Sequence, residues 1–315
     1  MKIEECIHYL YEKYKNDLSG RVSHSFPALA AVDPDLFSLS VVTADGKSFS
    51  VGDKESLFSI QSISKPFSYA LALKQHGSEF VEEKVGMEPT GEDYDSIIKL
   101  DDLNRPFNPM VNSGAIVTTG LIGSGVKNTK KDELVGYFSD FAGRELDIDQ
   151  EIYASERENG HKNWAIVHLL RHFNLMTKDF KDDLDLYFNQ CSILVNTEDL
   201  AMMGATLANG GVNPKTGKSC IDPKNLRHVL SILLTCGMYN YSGEWVFDVG
   251  VPAKSGISGG IIMIIPGLMA ISVYSPRLDK RGNSVRGIKV CEELSNIYNL
   301  HILDSAGPNS TKDIL

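Results

Sequence analysis

Ser62-Ile63-Ser64-Lys65 is the stretch on which the reading of this 315-residue chain turns. It fits S-x-x-K at the start of a helix predicted from Ser62 through Leu73. Positions i and i+3 share a helix face, so Lys65 can reach the Ser62 hydroxyl. A buried amine with a lowered pKa then acts as a base toward that serine, which is otherwise a weak nucleophile. By itself the motif is short. A helix N-terminus with a solvated lysine is its plainer reading.

The segments around it supply the architecture. Ile3, Ile7, Leu10 and Tyr14 fall at helical spacing in the first ~20 residues. Phe37 to Thr43, then Asp45-Gly46, then Lys47 to Val51 read as a β-hairpin. From Val81 to His228 the pattern is mainly helical. Helices are predicted over Asn163–Phe173, Asp179–Cys191, Thr197–Asn209 and Pro223–Thr235. Thr197-Glu198-Asp199 reads as a helix start, and Asn209-Gly210-Gly211 as a helix stop. Strands are then predicted over Glu244–Gly250, Gly259–Ile265 and Leu268–Tyr274, with a closing helix over Val285–Tyr298. Strands, many helices, strands and a helix imply an antiparallel sheet drawn from both ends of the chain, with helices inserted between. The expected organisation is one domain of two lobes. Residues 1–80 with 225–315 form a sheet-and-helix lobe, 81–224 a helical lobe, and 305–315 a polar, flexible tail.

Composition excludes several classes. The chain is 42% hydrophobic and 23% charged, with a formal net charge of -10. That is ordinary globular composition, and without a long basic run nucleic acid is excluded as a partner. The five cysteines are odd in number and form no C-x-x-C pair, as reduced thiols do. The start, Met1-Lys2-Ile3-Glu4-Glu5, lacks the basic-then-apolar order of an export signal. Ile257 to Tyr274 is apolar, but Pro266 and several glycines break it into strand lengths. A cytoplasmic protein with no membrane partner is expected. His168 and His172 are spaced i, i+4, yet the segment lacks the glutamate of H-E-x-x-H and a third ligand. No metal is expected there.

Three further elements raise the weight of Ser62-x-x-Lys65. Lys254-Ser255-Gly256, late in the chain and strand-like, is similar to the K-T-G triplet of β-lactamases and penicillin-binding proteins. Tyr187-Phe188-Asn189 resembles their Y-x-N element, and Leu207-Ala208-Asn209-Gly210-Gly211 resembles a helix end common among them. Singly these read as a strand lysine, a core tyrosine and a helix cap. Together, in this order and on this layout, they are hard to obtain by accident.

Longer segments resemble one family, the glutaminases. They are Gln61 to Lys65, Asn108 to Ala115, Ser155 to Gly160 with Asn163, Tyr187 to Ser192, Cys236 to Tyr239, and Pro252 to Gly256, within roughly residues 26 to 300. The resemblance implies an α/β (α+β) fold of the β-lactamase type, an antiparallel sheet flanked by helices. It implies hydrolysis of L-glutamine to L-glutamate and ammonia through a serine glutamyl-enzyme, with no metal or organic cofactor. Carried over by motif, Ser62 would be the nucleophile, Lys65 its proton acceptor, and Tyr239 a phenol that relays or returns the proton. Asn112, Glu156, Asn163, Tyr187 and Tyr239 would hold glutamine. The backbone amides of Ser62 and Ile257 would form the oxyanion hole, where relatives commonly carry valine for Ile257. Gln61 and Lys254 would support. Some relatives place at Leu36 a tyrosine that reaches the substrate, a contact leucine cannot make. Homotetramers or homodimers are frequent in the family.

The residue types suit the reaction. Glutamine is a zwitterion, so Glu156 can take its ammonium while asparagine and tyrosine donors take its carboxylate. The plainer alternatives are a Glu156–Arg157 ion pair and helix caps at Asn112 and Asn163. Lys254 would help keep Lys65 neutral by like-charge repulsion. Ser64 points about 100° away from Lys65 on a helix and reads as a packing or capping residue. Two other readings share these motifs: another serine acyl hydrolase of the same fold, and a non-catalytic amino-acid sensor.

Overall fold

A computed structural model of the chain describes residues 1–91, 100–123, 125 and 129–304; the predicted tail over 305–315 lies outside the described residues. α1 (Ile3–Tyr14) buries Ile3, Cys6, Ile7 and Leu10 along the stripe that its spacing predicts. After the single turn α2 (Pro27–Ala30), β1 (Ser38–Thr43) and β2 (Ser48–Gly52) form the hairpin around Asp45-Gly46. β3 (Phe58–Ser59) leads into a 3-10 turn over Gln61–Ser64 and then α3 (Lys65–His76). Pro66 sits in the first turn of α3, where its missing N–H is harmless.

Helices dominate the middle of the chain: α4 (Ser78–Glu82), α5 (Asn112–Gly120), α6 (Lys130–Ala142), α7 (Gln150–Asn159), α8 (His161–His172) and α9 (Phe180–Cys191). β4 (Leu194–Val195) pairs with β3, and α10 (Thr197–Ala208) and α11 (Pro223–Cys236) follow. A 3-10 turn at Tyr239–Tyr241 opens onto α12 (Ser242–Asp248). β5 (Ala253–Ser255), β6 (Gly260–Ile265), β7 (Met269–Tyr274) and α13 (Val285–Tyr298) complete the order.

The main sheet runs β2-β1-β7-β6-β5, every neighbour antiparallel, so both ends of the chain contribute strands. All residues of β1, β6 and β7 are buried, because α1 and α13 cover one face and α10 the other. Cover on both faces explains why β6 and β7 read as continuous apolar runs rather than alternating ones. Register then decides which side chains meet the helices. Ile261 and Met263 join the core cluster of α1 and α13, whereas Ile262 and Ile264 join that of α3 and α11. Lys254 is paired with Ile262 and shares its face, so the sheet itself delivers that lysine to the α3 side.

One expected strand is a helix. Residues 244–250 carry Trp245, Val246 and Phe247, all strand formers, yet Ser242–Asp248 is α12. An alternating strand would bury Trp245, Phe247 and Val249 together. Trp245 and Val249, four apart, are buried, while Phe247 is 84% exposed. The Trp245 indole N–H donates to the Val251 carbonyl at 2.8 Å, which fixes the helix against β5. The helix predicted from Ser62 also begins differently, as a 3-10 turn that becomes α-helical only at Lys65. Among the described residues no helix is long and apolar enough to cross a membrane.

Gly114 holds α5 close to the loop before it. A Cβ there would lie 2.0 Å from the Asn108 carbonyl oxygen, a backbone atom that cannot swing aside. Gly114→Ala is therefore expected to push α5 off that loop and to cost about 1–3 kcal/mol, as overpacking does. Urea unfolding of the two proteins measures it.

Candidate active site

The approach to Ser62 is strained and anchored. Gln61 has φ 48, a left-handed conformation that is costly for a residue with a Cβ, by about 1–3 kcal/mol. Ile60, just before it, is tied to Ile193 by a backbone bond of 2.8 Å. Tyr239, at the 3-10 turn before α12, has φ 55. The other described non-glycine residues at positive φ are Asn104, Asn174 and Asn299, a type that tolerates it. The two that do not tolerate it both stand at the motifs singled out in the sequence.

Lys65 is wholly buried. Its amine donates to the Met110 carbonyl at 2.9 Å and to Asn112 Oδ1 at 2.7 Å, and meets the Tyr239 hydroxyl at 3.4 Å. Lys254, also wholly buried, donates to the Ser255 carbonyl at 2.7 Å and lies 3.7 Å from the centre of the Tyr239 ring. The ring face favours its charged form. Burial and the neighbouring Lys65 oppose it more strongly and hold Lys254 well below the ordinary lysine range.

From Lys65 the network continues outward. Asn112 Oδ1 also accepts from the Tyr187 hydroxyl at 3.3 Å, and Asn112 Nδ2 donates to Asn163 Oδ1 at 3.0 Å. Both asparagine side chains are thus turned to the site, and the reading of them as helix caps falls. Glu156 is the only buried residue of α7. Its Oε2 accepts from Gln61 Nε2 at 3.2 Å, while Arg157 is bonded to Asp185 instead at 2.9 Å. The Glu156–Arg157 ion pair is excluded. Burial raises the Glu156 carboxyl to about 7, against the opposing pull of Gln61, Cys191 and the charge of Lys65.

A cavity of about 430 Å³ collects these groups. Ser62, Asn112, Glu156, Asn163, Tyr187 and Ile257 line it, as the motifs predict, together with Gln61. Lys65, Tyr239 and Lys254 do not line it but join it through Asn112. A larger cavity of about 860 Å³, between Gly20–His24 and Leu278–Val285, shares Ile257 but none of the other site residues. The smaller one is the candidate site because the polar network converges on it. Leu36 lies outside its wall, packed against the core with its carbonyl accepting from Arg286 at 2.7 Å.

Some site features had no signature in the sequence reading. The Met110 carbonyl is a backbone group, and Cys191 lines the cavity although it was read only as one of five reduced thiols. Its i, i+4 spacing from Tyr187 was the available signal. Ser64 occupies the N-cap position of α3, but its hydroxyl makes no capping bond; it is buried and finds no partner of ordinary hydrogen-bond geometry. His168 and His172 pack edge-on against Phe180 and Phe173, and the described residues contain no cluster of three metal-binding side chains.

Comparisons with known proteins agree on one family. The Glutaminase family profile matches residues 20–303. A protein named Glutaminase from Nostoc sp. is 49% identical over 300 residues, covering 95% of this chain and 90% of that one. One from Microcystis aeruginosa is 45% identical over 302 residues, covering 96% and 89%. Among solved structures, probable glutaminase ybaS superposes with a TM-score of 0.92 at 36% identity, over 96% of this chain and 98% of that one. Mglu in its glutamate form superposes with a TM-score of 0.90 at 36% identity, over 96% and 70%.

The buried carboxyl has a consequence for stability. In the unfolded chain Glu156 ionises at the ordinary value of about 4.3, but in the fold only near 7. Between those values the folded state holds a proton that the unfolded state releases, so this group lowers stability as pH rises. Glu156→Gln is expected to match the parent's melting temperature below about pH 4 and to exceed it above pH 7. Thermal melts at both ends of that window measure the difference.

Proposed function

The chain belongs to the glutaminase family, and on that premise we propose that Ser62 attacks the side-chain amide of glutamine with Lys65 and Tyr239 as its proton carriers. The enzyme hydrolyses glutamine; the residue roles are the proposal. The observation that carries it is the unbroken path from the cavity through Asn112 to Lys65, Tyr239 and Lys254.

A neutral lysine amine has two hydrogens and one lone pair. The Met110 carbonyl and Asn112 Oδ1 take the two hydrogens. The lone pair accepts the Ser62 proton, directly or by way of the Tyr239 hydroxyl 3.4 Å away. Attack by Ser62 Oγ on the amide carbon gives a tetrahedral oxyanion, which the backbone N–H groups of Ser62 and Ile257 stabilise by roughly 3 kcal/mol each, as in other oxyanion holes. Collapse breaks the C–N bond. Ammonia leaves with the proton returned by Lys65 or Tyr239. Water then attacks the glutamyl ester by the same steps in reverse, releasing glutamate and restoring the Ser62 hydroxyl.

Glu156 reads the α-ammonium in this scheme, while Asn112, Asn163, Tyr187 and Tyr239 hold the rest of the substrate. The family resemblance adds a homotetrameric or dimeric assembly, which light scattering tests, and the five cysteines without a C-x-x-C pair support a cytoplasmic location. The two-lobe division remains a proposal, in which residues 1–80 with 225–315 supply Gln61, Ser62 and Ile257 to the cavity wall and 81–224 supply Asn112, Glu156, Asn163 and Tyr187.

Ser62→Ala is expected to reduce ammonia release to background, a loss of at least ~10³-fold. Lys65→Ala should come close to it, and Ser64→Ala should keep most activity. A folded, inactive Ser64→Ala enzyme identifies the wrong serine.

Specificity and pH test Glu156 separately. Glutaramate, which lacks the α-amino group, is expected to be poorer than glutamine by up to roughly 10⁴-fold in kcat/KM. Glu156→Gln should narrow that gap. Because the ionised carboxylate binds the ammonium, kcat/KM for glutamine should rise with pH through about 7. A profile that falls across neutrality removes Glu156 from this role.

A further inference from the structure

α9 sends two side chains to the cavity from one face. Tyr187 and Cys191 are i and i+4 on that helix, and both line the wall with Glu156 and Gln61. α9 packs against α7 and against the Gln61–Ser64 turn, so its last residue falls where three elements meet. Cys191 is 2% exposed. It shares the cavity wall with Glu156 and Tyr187, and the charge of Glu156 acts on its thiol. Neither acyl transfer nor glutamine binding, as derived above, uses a thiol.

Glu156 has a shortage that this thiol meets. A carboxylate offers about four acceptor sites, and burying it without donors is costly. Gln61 Nε2 supplies one bond at 3.2 Å. We propose that Cys191 is a positioning residue for substrate recognition: its thiol donates to the Glu156 carboxylate and fixes it in the orientation that receives the α-ammonium. The proposal rests on the assignment of Glu156 to the ammonium.

A thiol suits the task because it is a weak donor. Strong donors would satisfy the carboxylate before substrate arrives and reduce what the ammonium adds. A thiol restricts the group and leaves most of its charge to be met by the ligand. Cys191 also remains a donor throughout the working range, since burial holds it well above the ordinary thiol value. The groups facing Glu156 from the surrounding elements are Gln61 on the 3-10 turn, Lys65 on α3, and Tyr187 and Cys191 on α9. His161 and Lys162, at the start of α8, line the same cavity. The acid limb for glutamine reports on Glu156 together with the proton acceptor Lys65, and glutaramate, which needs Lys65 but not the Glu156 charge, separates the two.

The test compares Cys191→Ala and Cys191→Ser with the parent enzyme, using glutamine and glutaramate. Cys191→Ala should raise KM for glutamine about tenfold, as loss of one hydrogen bond to a charged group does, and leave kcat nearly unchanged. It should also move the acid limb of kcat/KM to higher pH and leave glutaramate unaffected. Cys191→Ser, which keeps a donor, should return the limb to the parent position or below it and bring KM below that of Cys191→Ala, short of full recovery because the hydroxyl is the stronger donor. An equal KM rise for both substrates, or a limb that does not move, overturns the proposal and leaves Cys191 a packing residue. If Cys191→Ala fails to fold, the parent enzyme still decides. Its Cys191 S–H infrared band, assigned by its loss in Cys191→Ser, should shift to lower frequency as pH rises through about 7, and that shift should vanish in Glu156→Gln. A band insensitive to pH overturns the proposal. Glutamine–glutaramate discrimination that survives in Glu156→Gln overturns instead the assignment of Glu156 on which it rests.

Discussion

Two lysines buried on one tyrosine are the constraint around which the site is arranged. Carrying an ammonium into the interior costs several kcal/mol even after relaxation, so a fold keeps such a group only where neighbours hold it or where it surrenders its proton. Lys254 comes from the centre of a strand whose register admits no other face. Lys65 comes from the first turn of α3 and is held by a carbonyl and an amide oxygen. Burial and the charge of the neighbouring Lys65 bias Lys254 toward the form that accepts a proton.

Strain pays for part of this geometry. Gln61 and Tyr239 adopt left-handed backbone conformations, and each presents its neighbours to the site. The pairing of β3 with β4 and the packing of α12 under Trp245 over-determine those two turns. The sheet and its helices can hold these positions because every residue of β1, β6 and β7 is inside. The rigid part of the molecule carries the strained part.

Glu156 shows the same exchange of stability for function. A buried carboxyl near neutrality weakens the fold at alkaline pH, where the unfolded chain ionises it freely. In the proposed scheme the substrate ammonium reverses that cost by pairing with it, so the group that destabilises the unliganded fold gains most from substrate.

Much of this was legible in the sequence, for physical reasons that differ by element. β6 and β7 were readable because cover on both faces leaves unbroken apolar runs, and α13 because its start and period are both marked, with Ser284 capping Gly287. Residues 244–250 were misread because Trp, Val and Phe favour strands locally. Only the packing of Trp245 and Val249, with Phe247 left outside, selects the helix. The motifs named Ser62, Lys65, Asn112, Glu156, Asn163, Tyr187, Tyr239 and Lys254, since side-chain chemistry and spacing are written in the chain. The sequence by itself therefore determined the family, the strand and helix order, and which residue types reach the site. The tertiary structure decided what those residues do to one another: that Met110 gives Lys65 a backbone acceptor, that Gln61 rather than Arg157 faces Glu156, and that Cys191 lines the same cavity as that carboxylate. Burial and contact across the fold set those facts, and no local pattern encodes them.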